Sequence, residues 1–346
     1  MKKIFSAAIV GVMLFLTGCG ASTTPAPSAS STGSAEKQPT IGVAIYKFDD
    51  TFMTGVRNAI STAAQGKATV DIVDSQNSQP TQNDKVDLFL NKKVNALAIN
   101  PVDLTAAGVI IDKAKAANTP VVFFNRQPLA SDMKKWDKVY YVGAKAEESG
   151  IMQGQILVDY WKAHPEMDTN KDGIMDVVIL QGEPGHPDAI ARTKYSVQAI
   201  QDAGIKVNIL AQDTAMWDRS KAQDKMAAFL GAQGNKIEAV LANNDDMALG
   251  AIEALKAKGY FANGKYMPVV GVDATAPGLQ ALKDGTLLGT VLNDAKNQGT
   301  ATLNLAVALS KGLTPNKDNS GYDISDGQYV WVPYKKITKA NMSDAQ

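Results

Sequence analysis

The chain has 346 residues, 35 acidic and 35 basic side chains, and a single cysteine. Its formal net charge is zero and it has no block of like charge, so nothing in its composition indicates a nucleic-acid partner. One cysteine cannot form a disulfide within the chain. Of the possible partners, a small neutral ligand is the most compatible with this balance of charge.

The N-terminus has the pattern of an exported protein. Lys2 and Lys3 precede an apolar run, residues 4–16, which is too short to span a bilayer core of ~30 Å but suits the apolar part of a secretory signal. The run ends in Leu16-Thr17-Gly18-Cys19, which resembles a bacterial lipobox, although a spare cysteine after a signal peptide is the alternative. We therefore interpret residues 1–18 as a signal peptide and Cys19 as a lipidation site that anchors the protein on the extracytoplasmic side of the cell membrane.

Residues 19–39 are rich in Ser, Thr, Ala and Pro without an apolar period, which predicts a flexible, lipid-anchored tether. Beyond it, β-rich runs alternate with helical patterns, as in α/β proteins with parallel sheets. The predicted strands are 41–46, 69–74, 96–100, 121–125, 139–143, 176–181, 206–211, 239–242, 269–272, 289–292 and 329–332. We assign the first four to one doubly wound lobe and those from 176 to 272 to a second, so that a cleft lies between two lobes.

Polar and aromatic residues follow many of these strands. In the first lobe they occupy 46–52, 100–103 and 125–126, and in the second 182–188, 213–217, 243–245 and Asp273. Any one of these Asp or Asn side chains alone could be an ordinary helix cap. Because ligands bind at the carboxyl ends of strands in doubly wound sheets, the set as a whole predicts a small-molecule site in the cleft.

Residues 168–176 have the oxygen-ligand spacing of a calcium loop. Positions 1, 3, 5 and 9 are Asp168, Asn170, Asp172 and Asp176, Gly173 stands at the turn, and Ile174 offers a backbone carbonyl. Position 12, which is usually a bidentate glutamate, is Ile179. An all-oxygen set favours calcium over zinc, whereas the alternative is a solvated Asp/Asn turn.

The missing acid can be placed by topology. If the second lobe has the strand order 2-1-3, its first and third strands are neighbours about 4.8 Å apart. Asp176 precedes the first of these strands and Glu238 precedes the third, so Glu238 is predicted to complete the loop. The site would then lie at the amino edge of the sheet, away from the cleft, and the calcium would be structural.

Several segments together resemble sugar receptors of the type I periplasmic binding protein family, in particular those for galactose and glucose. They include Ile-Tyr-Lys-Phe-Asp-Asp-Thr-Phe at 45–52, Ala-Leu-Ala-Ile-Asn at 96–100, Gly-Glu-Pro-Gly-His-Pro-Asp-Ala-Ile-Ala-Arg at 182–192, Asp-Thr-Ala-Met-Trp-Asp at 213–218, Ala-Asn-Asn-Asp at 242–245, Gly-Val-Asp-Ala at 271–274 and Thr-Val-Leu-Asn-Asp-Ala at 290–295. The resemblance covers about residues 40–340.

The resemblance implies two α/β lobes with doubly wound parallel sheets joined by a three-strand hinge. It implies a monomeric, non-enzymatic protein that binds a hexose, D-galactose or D-glucose, and delivers it to an ABC transporter permease by hinged closure; a chemoreceptor is a further partner it suggests. It also implies a calcium site completed at Glu238. The implied sugar contacts are Asp50, Phe52, Asn100, His186, Asp188, Arg192, Trp217, Asn244, Asp273 and Asn293, with Phe52 and Trp217 covering the faces of the ring.

The predicted lobes comprise residues 40–125 with 295–327, and 126–294 with 328–346. The chain would cross between them near 125–126, near Asp294 and near 328. Residues 259–267 form a long loop before the strand that delivers Asp273, which leaves the fine sugar preference open.

Other functions remain as alternatives. A receptor for ribose, an autoinducer or a methyl-galactoside would share this fold, whereas a related transcriptional regulator would carry a helix-turn-helix where this chain has a signal and a tether. A glycosidase could use Asp50, His186 and Asp188 as acid and base. It would need a carboxyl group whose pKa is raised by burial, and Arg192 is expected to lower the pKa of Asp188 instead.

Overall fold

The computed structural model describes residues 37–345. The predicted signal peptide at 1–18, Cys19 and the tether up to residue 36 lie outside the described residues. Within residues 37–345, no helix is both long enough and apolar enough to cross a membrane.

The chain alternates strands and helices over nearly its whole described length. The strands are β1 (Thr40–Ile45), β2 (Thr69–Asp74), β3 (Ala96–Ile99), β4 (Val121–Phe124), β5 (Val139–Gly143), β6 (Ile174–Gln181), β7 (Lys206–Thr214), β8 (Ala239–Ala242), β9 (Val269–Val270), β10 (Gly289–Leu292), β11 (Tyr329–Trp331) and β12 (Lys335–Thr338). The helices are α1 (Thr51–Ala64), α2 (Gln79–Asn91), α3 (Ala107–Ala116), α4 (Ala130–Met133), α5 (Ala146–Ala163), α6 (Pro187–Asp202), α7 (Arg219–Gln233), α8 (Asp245–Ala257), α9 (Ala276–Asp284), α10 (Ala295–Ser310) and α11 (Lys317–Ser320).

The strands form two sheets, one in each lobe. The first has the order β11-β5-β4-β3-β1-β2 and the second the order β12-β10-β9-β8-β6-β7. All pairs are parallel except β10 with β12. In the second sheet β6 lies between β7 and β8, which is the predicted 2-1-3 order. The predicted α/β fold with two doubly wound lobes is confirmed.

Both faces of each sheet are buried, because helices pack on both sides. β3, β4 and β8 are continuous apolar runs with every residue buried, as expected for central strands of parallel sheets. Each lobe has two apolar clusters, one on either face of its sheet. These cores fix the sheets and leave the polar segments at the strand ends exposed to the cleft.

The predicted lobe boundaries need correction at two of the three crossings. β5 pairs with β4, and β11 pairs with β5, so both belong to the first lobe. The first crossing is therefore at 144–145, between β5 and α5, and not at 125–126. The third lies at 332–334, between β11 and β12, and not near 328. The reason is strand pairing between segments far apart in sequence, which local patterns do not reveal.

The second crossing runs from β10 in one lobe to α10, which packs on α1 in the other. β12 was not predicted. Its segment begins with Lys335 and Lys336 and has little alternation of apolar residues, and it is held as an edge strand by antiparallel pairing with β10. Together the three crossings form the hinge.

Candidate ligand-binding cleft

The carboxyl ends of the two sheets face each other and enclose a narrow cavity of about 40 Å³. Both lobes contribute to its wall. The lining residues are Tyr46, Asp50, Phe52, Met53, Asn125, Arg126, His186, Asp188, Arg192, Trp217, Asn244, Asp273 and Asn293. Carboxylates, amides, two guanidinium groups and aromatic rings thus surround one small space.

In the first lobe, the loop after β1 supplies a carboxylate and an aromatic ring. Asp50 caps α1, since its Oδ1 accepts a hydrogen bond from the Met53 N–H at 2.8 Å. Its other oxygen accepts from the Tyr46 hydroxyl. Phe52, in the first turn of α1, is buried and presents its ring to the cavity. The cap therefore holds the carboxylate in place before any ligand arrives.

Arg126 reaches across the cleft. Its guanidinium lies 3.9 Å from the centre of the Tyr46 ring, and its Nη2 donates to Glu183 Oε2 of the second lobe at 2.8 Å. Among the residues that the structure describes, this is the only ion pair between the lobes. It indicates that the two lobes are closed on each other.

In the second lobe, α6 points its N-terminus at the cavity. His186 caps the helix through its Nδ1, which accepts from the Asp188 N–H at 3.1 Å. One turn later, Arg192 Nη2 donates to Asp188 Oδ2 at 3.2 Å and to the Tyr334 hydroxyl at 3.1 Å. Because Tyr334 lies in the third crossing, Arg192 connects the cavity to the hinge.

Trp217 closes one side of the cavity at the end of β7. Its ring packs directly over the backbone of Gly182, where a Cβ atom would approach the indole to 2.2 Å. His186 meets the same ring edge-on, with centroids 5.2 Å apart. Met216 and Trp217 both have positive φ angles, of 56° and 62°, which residues other than glycine rarely adopt. The close packing over Gly182 holds the indole in this position.

Three further polar residues come from the ends of β8, β9 and β10. Asn244 caps α8, with its Oδ1 accepting from the Met247 N–H at 2.9 Å. Asn293 Nδ2 donates to Asp273 Oδ1 at 3.2 Å. All three side chains line the cavity.

Burial shifts the pKa values of three titratable groups in the cavity, Asp188, Asp273 and His186. It raises the pKa of Asp188 despite the lowering effect of Arg192 and Arg126, so the predicted lowering of this pKa is wrong. It also raises the pKa of Asp273 well above its usual value. Burial, with the two arginines, keeps the pKa of His186 well below its ordinary range, so the imidazole is neutral.

The structure brings nine of the ten predicted sugar contacts together around the cavity, and Asn100 is the exception. Asn100 is fully buried behind the wall, where its Oδ1 accepts from the Tyr46 N–H at 3.2 Å and its Nδ2 donates to the Phe124 carbonyl at 3.2 Å. Its Nδ2 also lies 3.2 Å from Asn125 Oδ1. The amide that lines the cavity is that of Asn125, and Asn100 supports it.

Sequence reasoning missed four lining residues: Tyr46, Met53, Asn125 and Arg126. The last two follow a predicted strand, so the rule of strand ends already pointed to them, but the resemblance led to Asn100 instead. Tyr46 also ends a predicted strand, in the segment 46–52, whereas Met53 belongs to the apolar pattern of α1, which does not distinguish core from cavity. The loop 259–267, expected to influence the rim, lies before β9 at the opposite edge of the sheet and does not line the cavity.

Comparisons with known proteins agree with this geometry. The sequence model of one protein family, the periplasmic binding protein domain, matches residues 41–314. The chain belongs to the periplasmic binding protein family. The predicted resemblance is confirmed, and this periplasmic binding protein is a solute-binding protein and not an enzyme.

The relatives are similar over nearly their whole length. A D-galactose/methyl-galactoside binding periplasmic protein of Haemophilus influenzae is 45% identical over 92% of this chain and 94% of its own. A putative rhizopine-binding protein of Rhizobium meliloti is 32% identical over 89% and 92%. Among solved structures, an ABC transporter solute binding protein of Bacillus halodurans with bound myo-inositol has a TM-score of 0.73 and 31% identity, with 89% and 96% covered.

The predicted calcium loop of this periplasmic binding protein lies at the amino edge of the second sheet. Glu238 is adjacent to it, as the strand order requires: its Oε2 accepts from the Asp176 N–H at 3.0 Å, and its Oε1 accepts from the Thr169 N–H at 2.7 Å. The side chains of Asp168, Asn170 and Asp172 accept hydrogen bonds from the loop's own N–H groups.

Within residues 37–345, no three His, Cys, Asp or Glu side chains are grouped so that they could hold a metal ion. The donor set of the loop nevertheless fits calcium in kind, because it consists of carboxylate, amide and carbonyl oxygens. Asp176 and Glu238 are 6% and 1% exposed, and neither has a basic partner in the described part of the chain. Burial and the Asp176 carboxylate raise the pKa of Glu238. Two buried adjacent acids without a counter-charge favour a bound cation.

Proposed function

We propose that this periplasmic binding protein takes a hexose in the cleft and delivers it to an ABC transporter. The observation that carries the proposal is the composition of the cavity wall. Asp50, Asp188 and Asp273 can accept from sugar hydroxyls, and Arg192 can donate to them. Phe52 and Trp217, one from each lobe, offer flat rings to the C–H faces of a pyranose.

The preferred ligands in this proposal are D-galactose and D-glucose. The name of the Haemophilus influenzae relative supports galactose, and that protein is 45% identical to the chain. Asp50 supports both sugars, because a carboxylate placed between an axial and an equatorial hydroxyl can accept from either. The alternatives are a methyl-galactoside, ribose, an autoinducer or another polyol. One relative is named for rhizopine, and one similar structure holds myo-inositol.

Binding would proceed by hinged closure. Open lobes admit the sugar, and contacts from both lobes stabilise the closed form, which the transporter permease recognises. The three crossings at 144–145, 293–294 and 332–334 provide the hinge. Arg192 would link the sugar to the hinge through Tyr334.

Isothermal titration with D-glucose, D-galactose, ribose and methyl-galactosides tests the proposal. We expect heat of binding with at least one of the two hexoses and weaker or no binding of ribose. Absence of heat with every hexose would refute it. A titration that favours a methyl-galactoside over both free sugars would move the assignment to that alternative.

The anchor is a separate part of the proposal. Cys19, in the lipobox-like Leu16-Thr17-Gly18-Cys19, would carry the lipid, and the following residues would tether the lobes outside the cell membrane. Mass spectrometry of the native N-terminus distinguishes a lipid-modified Cys19 from an unmodified chain. A chemoreceptor as a second partner stays a prediction.

We also propose that the loop 168–176 holds a structural calcium ion. The ligands would be side-chain oxygens of the loop, the carbonyl of Ile174 and the carboxylate of Glu238; the side-chain ligands in the loop are Asp168, Asn170, Asp172 and Asp176. Calcium would supply the positive charge that the buried Asp176 and Glu238 lack. These two residues precede the central segments of β6 and β8, so the ion would brace the edge of the sheet away from the sugar.

A further inference from the structure

A buried carboxylate lies one layer behind the cavity. Asp245, the first residue of α8, is fully buried and is not part of the cavity wall. Its Oδ1 accepts from the Thr290 hydroxyl at 2.6 Å. Its Oδ2 accepts from the Thr275 N–H at 2.8 Å and from the Thr275 hydroxyl at 3.1 Å. Asp245 has no ion-pair partner among residues 37–345, so its interactions are directed at the segment around β9 and β10.

That segment presents Asp273 to the cavity in an unusual backbone conformation. Asp273 has a φ of 117° and Ala274 a φ of 52°, both in the region that favours glycine. Such a conformation persists only where the surroundings impose it. The Ala274 N–H donates to the Thr290 hydroxyl at 3.2 Å, and the same hydroxyl donates to Asp245. Asp245 therefore holds residues 274 and 275, one directly and one through Thr290.

The surrounding backbone leaves space for this carboxylate. A Cβ atom on Gly271 would come within 2.3 Å of Asp245 Oδ1, and one on Gly278 within 2.2 Å of Oδ2. Neither glycine has a positive φ, so a side chain is excluded there by lack of space and not by backbone conformation. Gly271 and Gly278, on either side of the 273–275 segment, thus leave room for the Asp245 carboxylate.

We infer that Asp245 is a positioning residue, which fixes the 273–275 segment so that Asp273 is aimed at the sugar. This inference rests on the proposed function, because the effect is measured on sugar binding. Asp246, the next residue of α8, points away from the segment and pairs with Arg219. The adjacent carboxylates therefore have different roles.

The electrostatics of Asp245 are consistent with this role. Burial raises the pKa of Asp245 to about 7, against the lowering effect of its hydrogen bonds from Thr290 and Thr275. The negative charge of Asp246 raises the pKa of Asp245 further, and Asp245 in turn raises the pKa of Asp273. Burial disfavours the charged form of Asp245. Three hydrogen-bond donors, from Thr275 and Thr290, stabilise that form.

A double-mutant cycle tests the inference. D-galactose and D-glucose are titrated into the wild-type protein, Asp245→Asn, Asp273→Asn and the double variant, with Asp246→Asn as the matched control. Asp245→Asn is expected to weaken binding about tenfold in the wild-type background and less than about twofold in the Asp273→Asn background. Asp246→Asn is expected to stay within about twofold of wild type.

Thr290 gives an independent test if Asp245→Asn does not fold. Thr290→Val removes the hydroxyl that links Ala274 to Asp245, whereas Thr290→Ser keeps it, so only the first is expected to lose affinity. Equal losses for Asp245→Asn in both backgrounds, or unchanged affinity in Asp245→Asn or Thr290→Val, would overturn the positioning role. A wild-type protein that binds neither sugar would overturn the proposed function, and the inference with it.

Discussion

At the scale of the residue, the cavity is made by side chains that are held before the ligand arrives. Asn125, Trp217 and Asp273 all have positive φ angles, and each follows a strand at the edge of the cleft. Residues held in such conformations concentrate at functional sites, because the surrounding structure sustains the strain. Preorganisation reduces the entropy that a ligand would otherwise lose in ordering the site.

Gly182→Ala is expected to weaken sugar binding without unfolding the protein. The new Cβ would approach the Trp217 ring to 2.2 Å, so the indole must move away from its present position. Overpacking of this kind costs about 1–3 kcal/mol, which corresponds to a loss of about fivefold to a hundredfold in affinity. Titration calorimetry with D-galactose or D-glucose measures the loss.

Gly231→Ala in α7 is the matched control for this change, because no atom beyond its chain neighbours and the backbone of its own helix lies within 4 Å of the added Cβ. It is expected to leave affinity unchanged and to stabilise the helix slightly. If both alanine variants bind the sugar as the wild type does, Trp217 is not held by Gly182.

Sugar affinity is expected to weaken as the pH falls. Burial raises the pKa values of Asp188 and Asp273, and in the proposed complex sugar hydroxyls would donate to the ionised carboxylates. Below the raised pKa values the free protein holds protons that binding must release, so binding loses free energy with falling pH and levels off above them. His186 does not contribute, since its pKa lies well below the usual range.

Titrations between about pH 5 and pH 8 in two buffers of different ionisation enthalpy measure both affinity and proton release. Affinity that is constant over this range, with no proton release, would contradict raised pKa values of Asp188 and Asp273 in the free protein.

At the scale of the element, helix ends and strand ends carry both structure and function. Asp50, His186 and Asn244 each cap a helix and also line the cavity. Because a lost cap costs about 0.5–2 kcal/mol of stability, a change at any of these positions affects folding and binding together. Affinities of such variants are therefore interpretable only beside their melting temperatures.

The calcium proposal belongs to this scale, because it depends on β6 and β8 being neighbours. Excess chelator is expected to lower the melting temperature, since an ion at about 100 times its Kd contributes about 2.7 kcal/mol of stability. Glu238→Gln is expected to melt lower than the wild type and to respond little to chelator. Thermal melts with and without chelator measure both effects.

Glu166→Gln serves as the control, because Glu166 is exposed and precedes the loop. It should keep the full response to chelator. A wild-type melting temperature that does not change in excess chelator would exclude a structural calcium ion in the loop.

At the scale of the whole molecule, function depends on the balance between open and closed lobes. Arg126 and Glu183 pair across the cleft at 2.8 Å, and the Arg126 side chain is 3% exposed. A contact made only in the closed form shifts the equilibrium towards that form and raises the apparent affinity for the sugar. The pair is thus expected to influence binding although Glu183 does not line the cavity.

Glu183→Gln is expected to weaken sugar binding about tenfold or more, because a hydrogen bond to a charged group contributes about 1.5–3 kcal/mol. The free protein should also become more open, which the radius of gyration in small-angle scattering reports. Asp87→Asn, which breaks an exposed pair with Lys113 within the first lobe, is the control. Equal affinities for these two variants would show that the Arg126–Glu183 pair does not favour closure.

Much of the fold was predictable because its signals are local. Central strands such as β4 and β8 are short, fully apolar runs between helical patterns, and buried parallel strands require that composition. The strand-end rule then identified most of the cavity, since parallel strands present all their carboxyl ends at one edge. The predicted 2-1-3 strand order, in which β6 and β8 are neighbours, likewise placed Glu238 beside Asp176.

The errors have a common physical origin in contacts between distant segments. Asn100 and Asn125 both follow first-lobe strands, and only the packed structure shows that one is behind the other. The pKa of Asp188 depends on how much water its neighbours exclude, which the spacing to Arg192 does not reveal.

Apolar periodicity and the residues at strand ends were sufficient to predict the class of fold, the two lobes and the chemical character of the cleft. Packing of the whole chain sets where it crosses between lobes, which amide faces the cavity, and the ion pair of Arg126 with Glu183. It also places Asp245 behind Asp273. Pairing of distant strands, burial and contacts across the cleft arise only when the whole chain is packed, so no local pattern encodes them.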